Sequence, residues 1–125
     1  MAKTVLIVDD YAYIRQALCS AFKREADFEV CGEAVNGSEA IAKAQELHPD
    51  VIVLDLSMPV MNGLEAAREL KHLMPMVPLI MYSAFGDGFV EQHARLVGIS
   101  ELVSKSQPAA ILASKARSLL YRDDP

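Results

Sequence analysis

Val5-Leu6-Ile7-Val8-Asp9-Asp10 sets four aliphatic residues in an unbroken run and closes them with two acids. The run is short, β-branched and without polar alternation, which reads as a strand buried on both faces. The same pattern returns at Val51-Ile52-Val53-Leu54, closed by Asp55. Working outward, three more apolar runs read as strands: Phe28 to Ala34, Pro78 to Tyr82, and Glu101 to Ser104. Helical spacing fills the intervals between them. Ile14, Ala17, Leu18, Ala21 and Phe22 form one stripe, and Ala40, Ile41, Ala44 and Leu47 a second. Leu64, Ala67 and Leu70, with Leu73 or Met74, form a third. Val90, Ala94 and Val97 form a fourth, and Ile111, Leu112, Ala116 and Leu119 a fifth.

Boundary residues agree with this division. Asn36 with Glu39, and Asn62 with Glu65, have the spacing of an N-cap and an N3 carboxylate. Ser106 is placed to cap the last helix, with Pro108 in its first turn. His48-Pro49 and Met74-Pro75 stop the second and third helices. Strand and helix thus alternate five times without an internal sequence repeat. Such alternation predicts an α/β fold: a doubly wound, five-stranded parallel sheet with five helices on its two faces. The strand order that fits is 2-1-3-4-5.

The chain has 125 residues, and residues 1–125 read as a single domain with no linker and no second domain. Hydrophobic residues make up 52%, enough for one packed core and too many for a disordered chain. The net charge of -5 opposes nonspecific binding to nucleic acid and to anionic membranes. No apolar stretch approaches the roughly 20 residues that span a bilayer, and no signal peptide is evident. A cytoplasmic protein with two reduced, buried thiols, Cys19 and Cys31, is expected. His48, His72 and His93 have no metal-ligand spacing and read as surface or helix-end residues. Met58, Met61, Met74, Met76 and Met81 read as packing.

In a sheet of this order, ligands bind beyond the carboxyl ends of the strands, where the winding reverses. Strand 1 ends in Asp9-Asp10, strand 3 in Asp55, strand 4 in Ser83 and strand 5 in Lys105. Strands 1 and 3 are neighbours, so three carboxylates meet beside a hydroxyl and an ammonium. Two such charges about 4 Å apart repel by roughly 4 kcal/mol at an effective dielectric near 20. The repulsion is relieved if one acid takes a proton or a cation joins the group. An all-oxygen donor set suits Mg²⁺ or Mn²⁺.

These segments carry a family resemblance. Val5 to Asp10, Leu54 to Gly63, Tyr82-Ser83-Ala84 and Val103-Ser104-Lys105 are similar, in that order, to the signature segments of the receiver domain of bacterial two-component response regulators. The fold so implied is flavodoxin-like, and the resemblance spans essentially the whole chain. It implies that Asp55 accepts a phosphoryl group from a phosphohistidine on a sensor histidine kinase. Asp9, Asp10 and Asp55, with the backbone carbonyl of Ser57, would hold Mg²⁺, and Mn²⁺ could replace it. Lys105 would pair with the phosphoryl oxygens and Ser83 would hydrogen-bond to them, rearranging the Ser83 to Gly88 loop with its Gly86. The implied consequence is a switch at the face formed by helix 4, strand 5 and helix 5. That face would control an output domain or effector protein, in the transcriptional case reaching DNA only through an effector. Phosphorylation-linked homodimers are another implied partner. A signalling module rather than a metabolite-converting enzyme is expected.

Two positions depart from the family pattern. Leu102 stands where an aromatic ring usually reports the switch, and is expected to pack against the edge of helix 4. Ser106 stands where proline usually follows the lysine, so a trans Lys105–Ser106 bond is expected. Leu102 also supports the alternative of a phosphate-independent, receiver-like interaction module. A phosphatase of the haloacid dehalogenase type is disfavoured, because Ser57 occupies the position of its second aspartate.

Overall fold

The computed structural model describes residues 2–84 and 88–121. Its elements run β1 (Lys3–Val8), α1 (Ala12–Lys23), β2 (Phe28–Ala34), α2 (Gly37–Leu47), β3 (Val51–Leu54), α3 (Gly63–Leu73), β4 (Leu79–Ser83), α4 (Gly88–Val97), β5 (Glu101–Ser104) and α5 (Ile111–Leu120). The strands form one sheet in the order β2-β1-β3-β4-β5, and every neighbouring pair is parallel. The expected doubly wound arrangement is therefore the one observed.

The alternation of side chains along a strand explains the three layers. Val5 and Ile7 of β1 and Val51 and Val53 of β3 face α1 and α5, packing with Leu18, Phe22, Leu112 and Ala116. Leu6, Val8, Ile52 and Leu54 face the other way, against Ala40, Ala44, Ala66, Ala67, Leu70 and Ala94 of α2, α3 and α4. All residues of Val5–Val8 and Val51–Leu54 are buried, which is why their sequence has no polar alternation. Burial of one such aliphatic side chain contributes roughly 1.5–3 kcal/mol. The β1–β2 register slips between Val5 and Leu6, which skips Cys31 on β2. The Cys31 thiol donates to the Val5 carbonyl across this bulge at 3.4 Å.

Several local expectations are corrected. Ala17 is exposed and Cys19 takes its place in the buried stripe of α1, because the stripe drifts around the helix. At the end of α3 Met74 packs on the core, whereas Leu73 turns outward. Met76 is 90% exposed, so it is not a packing residue. Cys31 is only half-buried, since β2 is an edge strand, while Cys19 is buried. Ser106 does not cap α5. Its amide bonds back to the Ser104 hydroxyl at 3.2 Å, and Pro108–Ala110 form a tight turn closed by Ile111 N–H to the Pro108 carbonyl at 3.1 Å. Pro108 therefore precedes the helix instead of opening it.

Other boundaries follow the chemistry read from the sequence. Asn62 and Glu65 form a reciprocal capping box at the start of α3. Asn36 accepts from the Glu39 amide at 2.8 Å, while the Glu39 carboxylate turns to Lys43. α2 and α3 end before Pro49 and Pro75. Gly86 of the Ser83 to Gly88 loop, and the tail 122–125, lie outside the described residues.

Candidate functional site

β1 and β3 lie side by side at the centre of the sheet, and β2 and β4 leave them in opposite directions. Their carboxyl ends therefore open onto the crevice where the winding reverses. The ladder holds the residues just beyond the strands. The Asp9 amide bonds to the Ala34 carbonyl, that of Asp55 to the Val8 carbonyl, and that of Lys105 to the Ser83 carbonyl, at 3.0, 3.0 and 2.8 Å. Three chain exits are thus pinned at one level, and their side chains share one mouth.

Asp9, Asp10 and Asp55 each present a carboxylate oxygen within 4.8 Å of the others. Asp9 is 1% exposed and Asp55 6%, whereas Asp10 reaches solvent. The Lys105 ammonium stands 3.1 Å from Asp9 Oδ2 and 3.0 Å from Asp55 Oδ1. Asp9 Oδ1 also accepts the Tyr11 amide at 2.9 Å, which fixes its rotamer. Ser83 is 1% exposed at the end of β4, and Ser57 is exposed two residues past Asp55. The sequence-predicted acids and the lysine thus come together.

Three carboxylates against one ammonium leave the mouth negative. At 4.8 Å, the upper bound on their separation, an ionised acid pair repels by roughly 3.5 kcal/mol at an effective dielectric near 20. Burial raises the Asp55 pKa above the ordinary aspartate value; Lys105 pulls it down, and Asp9 and Asp10 add to the rise. Burial works against the Lys105 ammonium, but Asp55 and Asp9 more than offset it and hold its pKa above the usual lysine value. The donor set is all oxygen, clustered and under-neutralised, which fits a small hard divalent cation and no soft metal.

The surrounding residues shape the mouth. A Cβ on Gly63 would stand 2.2 Å from the Asp55 carbonyl oxygen, so only glycine lets the start of α3 approach the acceptor loop. Val60, at φ +68°, is a β-branched residue in the left-handed region. It sits in a three-residue turn closed by Met61 N–H to the Pro59 carbonyl at 2.7 Å. Arg15 on α1 donates to the Asp9 carbonyl and to Glu33, both at 2.9 Å. Tyr82 donates its hydroxyl to the Gln107 carbonyl at 2.9 Å. Sequence reasoning gave none of the last three a role. A buried tyrosine in an apolar strand does demand a polar partner, so Tyr82 at least carried a signal.

Leu102 packs on the α2–α3–α4 side of the sheet, as expected. With Ala94, Ile99, Glu91, Arg95 and Glu101 it lines a cavity of about 320 Å³ beside α4. No peptide bond among the described residues is cis, so Lys105–Ser106 is trans as expected.

This geometry has known counterparts. The family model of the response regulator receiver domain matches residues 5–117. The chain belongs to that family. The receiver is 39% identical over 113 residues to chemotaxis protein CheY of Thermotoga maritima, covering 90% of this chain and 93% of that protein. It is 36% identical over 117 residues to response regulator protein VraR of Staphylococcus aureus, covering 94% of this chain and 56% of the relative. Among solved structures it is similar to the response regulator domain of Thermotoga maritima CheB. The TM-score is 0.91 at 31% identity, covering 99% of this chain and 100% of that one. As a receiver domain the chain is a signalling module of two-component systems, a family whose general properties include phosphorylation on aspartate and Mg²⁺ at an acidic pocket. No described helix is long and apolar enough to cross a membrane.

Proposed function

We propose that this receiver is a phosphorylation-driven switch in which Asp55 accepts the phosphoryl group of a sensor kinase phosphohistidine. The observation that carries the reading is the meeting of Asp9, Asp10, Asp55 and Lys105 at one mouth, where Lys105 touches both buried acids, Asp9 and Asp55, beside a solvent-reaching Asp10. In the transfer, a bond forms from an Asp55 oxygen to phosphorus as the imidazole nitrogen–phosphorus bond breaks. The leaving imidazole takes up a proton.

Asp9, Asp10, Asp55 and the Ser57 backbone carbonyl are the groups that would hold Mg²⁺, or Mn²⁺ in its place. Bound there, the ion supplies charge neutralisation for the transferring group. Lys105 leaves its contact with Asp55 to meet the phosphoryl oxygens. Ser83, at the end of β4, hydrogen-bonds to the same group and draws its loop inward. The modification adds about -1.5 to -2 charge at this mouth, enough to bias a two-state equilibrium. The signal then leaves through Ser83 and Leu102 to the α4–β5–α5 face, which engages an output domain or effector protein or a second copy of the chain. Transcriptional output is the proposed use, reached through a DNA-binding effector, and the likeness to a DNA-binding response regulator of the LuxR family from Staphylococcus aureus, with a TM-score of 0.89 at 25% identity, supports it. The working place of such a module is the cytoplasm.

Leu102 favours a second reading, a phosphate-independent interaction module, because no aromatic ring at that position reports the switch. Incubation with acetyl phosphate and Mg²⁺, followed by intact mass, separates the two. A gain of one phosphoryl that disappears in Asp55→Asn supports the switch. A folded protein that gains nothing supports the interaction module.

A further inference from the structure

The loop after β5 has to place Lys105, yet its own sequence gives it little stiffness. Lys105, Ser106 and Gln107 are not constrained as a proline would be, and the Ser104–Ser106 hydroxyl contact at 2.8 Å is exposed to water. The backbone is tied at its start by the Lys105 amide on the Ser83 carbonyl, and it turns with the Gln107 amide on the Ser104 carbonyl at 3.0 Å. Beyond that turn, the contact that returns the loop to the sheet is the Tyr82 hydroxyl on the Gln107 carbonyl, 25 residues away in sequence.

Tyr82 is well suited to this. It neighbours Ser83 in β4, pairs with Val103 of β5, and buries its ring among Val103 and Leu112. Burial pushes its phenol pKa up, so it stays a donor through neutral pH. A rigid ring anchored in the core presents its hydroxyl at a fixed height, which a flexible side chain would not do. We propose that Tyr82 is a positioning residue for Lys105: its phenol ties the Lys105–Gln107 loop to the phosphoryl-accepting edge of the sheet and so sets where the ammonium stands against Asp55 and Asp9. The consequence for phosphoryl transfer rests on the reading of Lys105 given under Proposed function; the placement of the ammonium does not.

The test is Tyr82→Phe in the full chain, which keeps the ring in the core and removes only the hydroxyl. Nitrogen-15 NMR of the Lys105 side-chain ammonium reads its order directly, with Lys105→Met identifying the signal. Amide exchange at Ser106 and Gln107 reads the loop, and phosphoryl uptake as a function of acetyl phosphate concentration reads the chemistry. The wild type is expected to show a sharp ammonium signal that broadens in the variant. Exchange at Ser106 and Gln107 should rise about tenfold, and the maximal uptake rate should fall about three- to tenfold, as loss of one hydrogen bond implies. A merely structural phenol would lower the melting temperature and leave the ammonium signal and uptake unchanged; that result overturns the proposal, as does no change in any reading. If the wild type itself takes up no phosphoryl group, the proposed function fails, and the ammonium signal alone still decides whether Tyr82 positions Lys105.

Discussion

The two ends of the sheet handle charge in opposite ways. At the end where β1 and β3 begin, the carboxylates of Glu25, Asp27 and Asp50 are each matched by hydrogen-bond donors. Arg117 holds Asp27 through two bonds of 2.7 and 2.9 Å and Glu25 through a third of 2.9 Å. Asp50 accepts both the amide and the hydroxyl of Thr4, at 2.8 and 3.1 Å. Where the same strands finish, three carboxylates share one ammonium, a valine is held at positive φ, and a glycine is pressed against the acceptor loop. One end is arranged to close the fold. The other keeps unrelieved repulsion and local strain, the pattern expected where a ligand completes the electrostatics.

The largest effect expected from this contrast is at Gly63. Gly63→Ala drives a methyl into the Asp55 carbonyl and should cost at least about 3 kcal/mol in urea unfolding, the upper end of the overpacking range. An alanine accepted without loss would mean that the acceptor loop is slack. Lys105→Met comes next. It leaves two buried acids without a counter-charge and should destabilise the ion-free protein by about 2–3 kcal/mol, somewhat less than a wholly buried pair because the lysine is partly exposed. The same variant should gain more from added Mg²⁺ than the wild type does, since a competing positive charge has gone.

Asp55→Asn should have the opposite sign. Burial first, then the neighbouring acids, raise the Asp55 pKa, so the native state holds this proton more tightly than the unfolded state does. Its stability contribution is present below the ordinary carboxylate range and is lost as pH rises through the native value. In Mg²⁺-free buffer at neutral pH the asparagine variant should therefore melt a few degrees higher. The gap should close as pH falls through the carboxylate range; a gap that is constant with pH would remove charge as its cause. The smallest effect is expected at the matched end. The Arg117 contacts hold the Asp27 pKa below the usual value, so the pair stabilises above the carboxylate range and its contribution is lost in acid. Arg117→Ala should lower the melting point slightly at neutral pH and not at all near pH 2, because both partners are open to water.

How much of this was legible in the sequence depended on whether the signal was local. The strands declared themselves because burial on both faces removes polar residues, and the caps at Asn36 and Asn62 because a side chain reaches only three residues. The acids at the strand ends followed from the topology. Ser106 misled because a serine two residues before a proline looks like a cap, yet its amide bonds back to the Ser104 hydroxyl. Met76 misled because composition does not say which way a turn faces. Tyr82 joins Gln107 across 25 residues and Arg15 joins Glu33 across 18, and nothing local names the partner in such a pair. The spacing of Asn62-Gly63-Leu64-Glu65 announced a helix start, but not that the glycine is needed for its distance to Asp55.

The most direct measurement is a thermal melt of the wild-type protein across a Mg²⁺ titration, with NaCl matched for ionic strength. A cation that binds the native mouth raises stability by RT ln(1 + [L]/Kd), so the melting point should climb with Mg²⁺ beyond any effect of NaCl, and Asp10→Asn should flatten the climb. Identical curves in Mg²⁺ and NaCl would contradict the account, because the negative end of the sheet would then have no ligand to complete it.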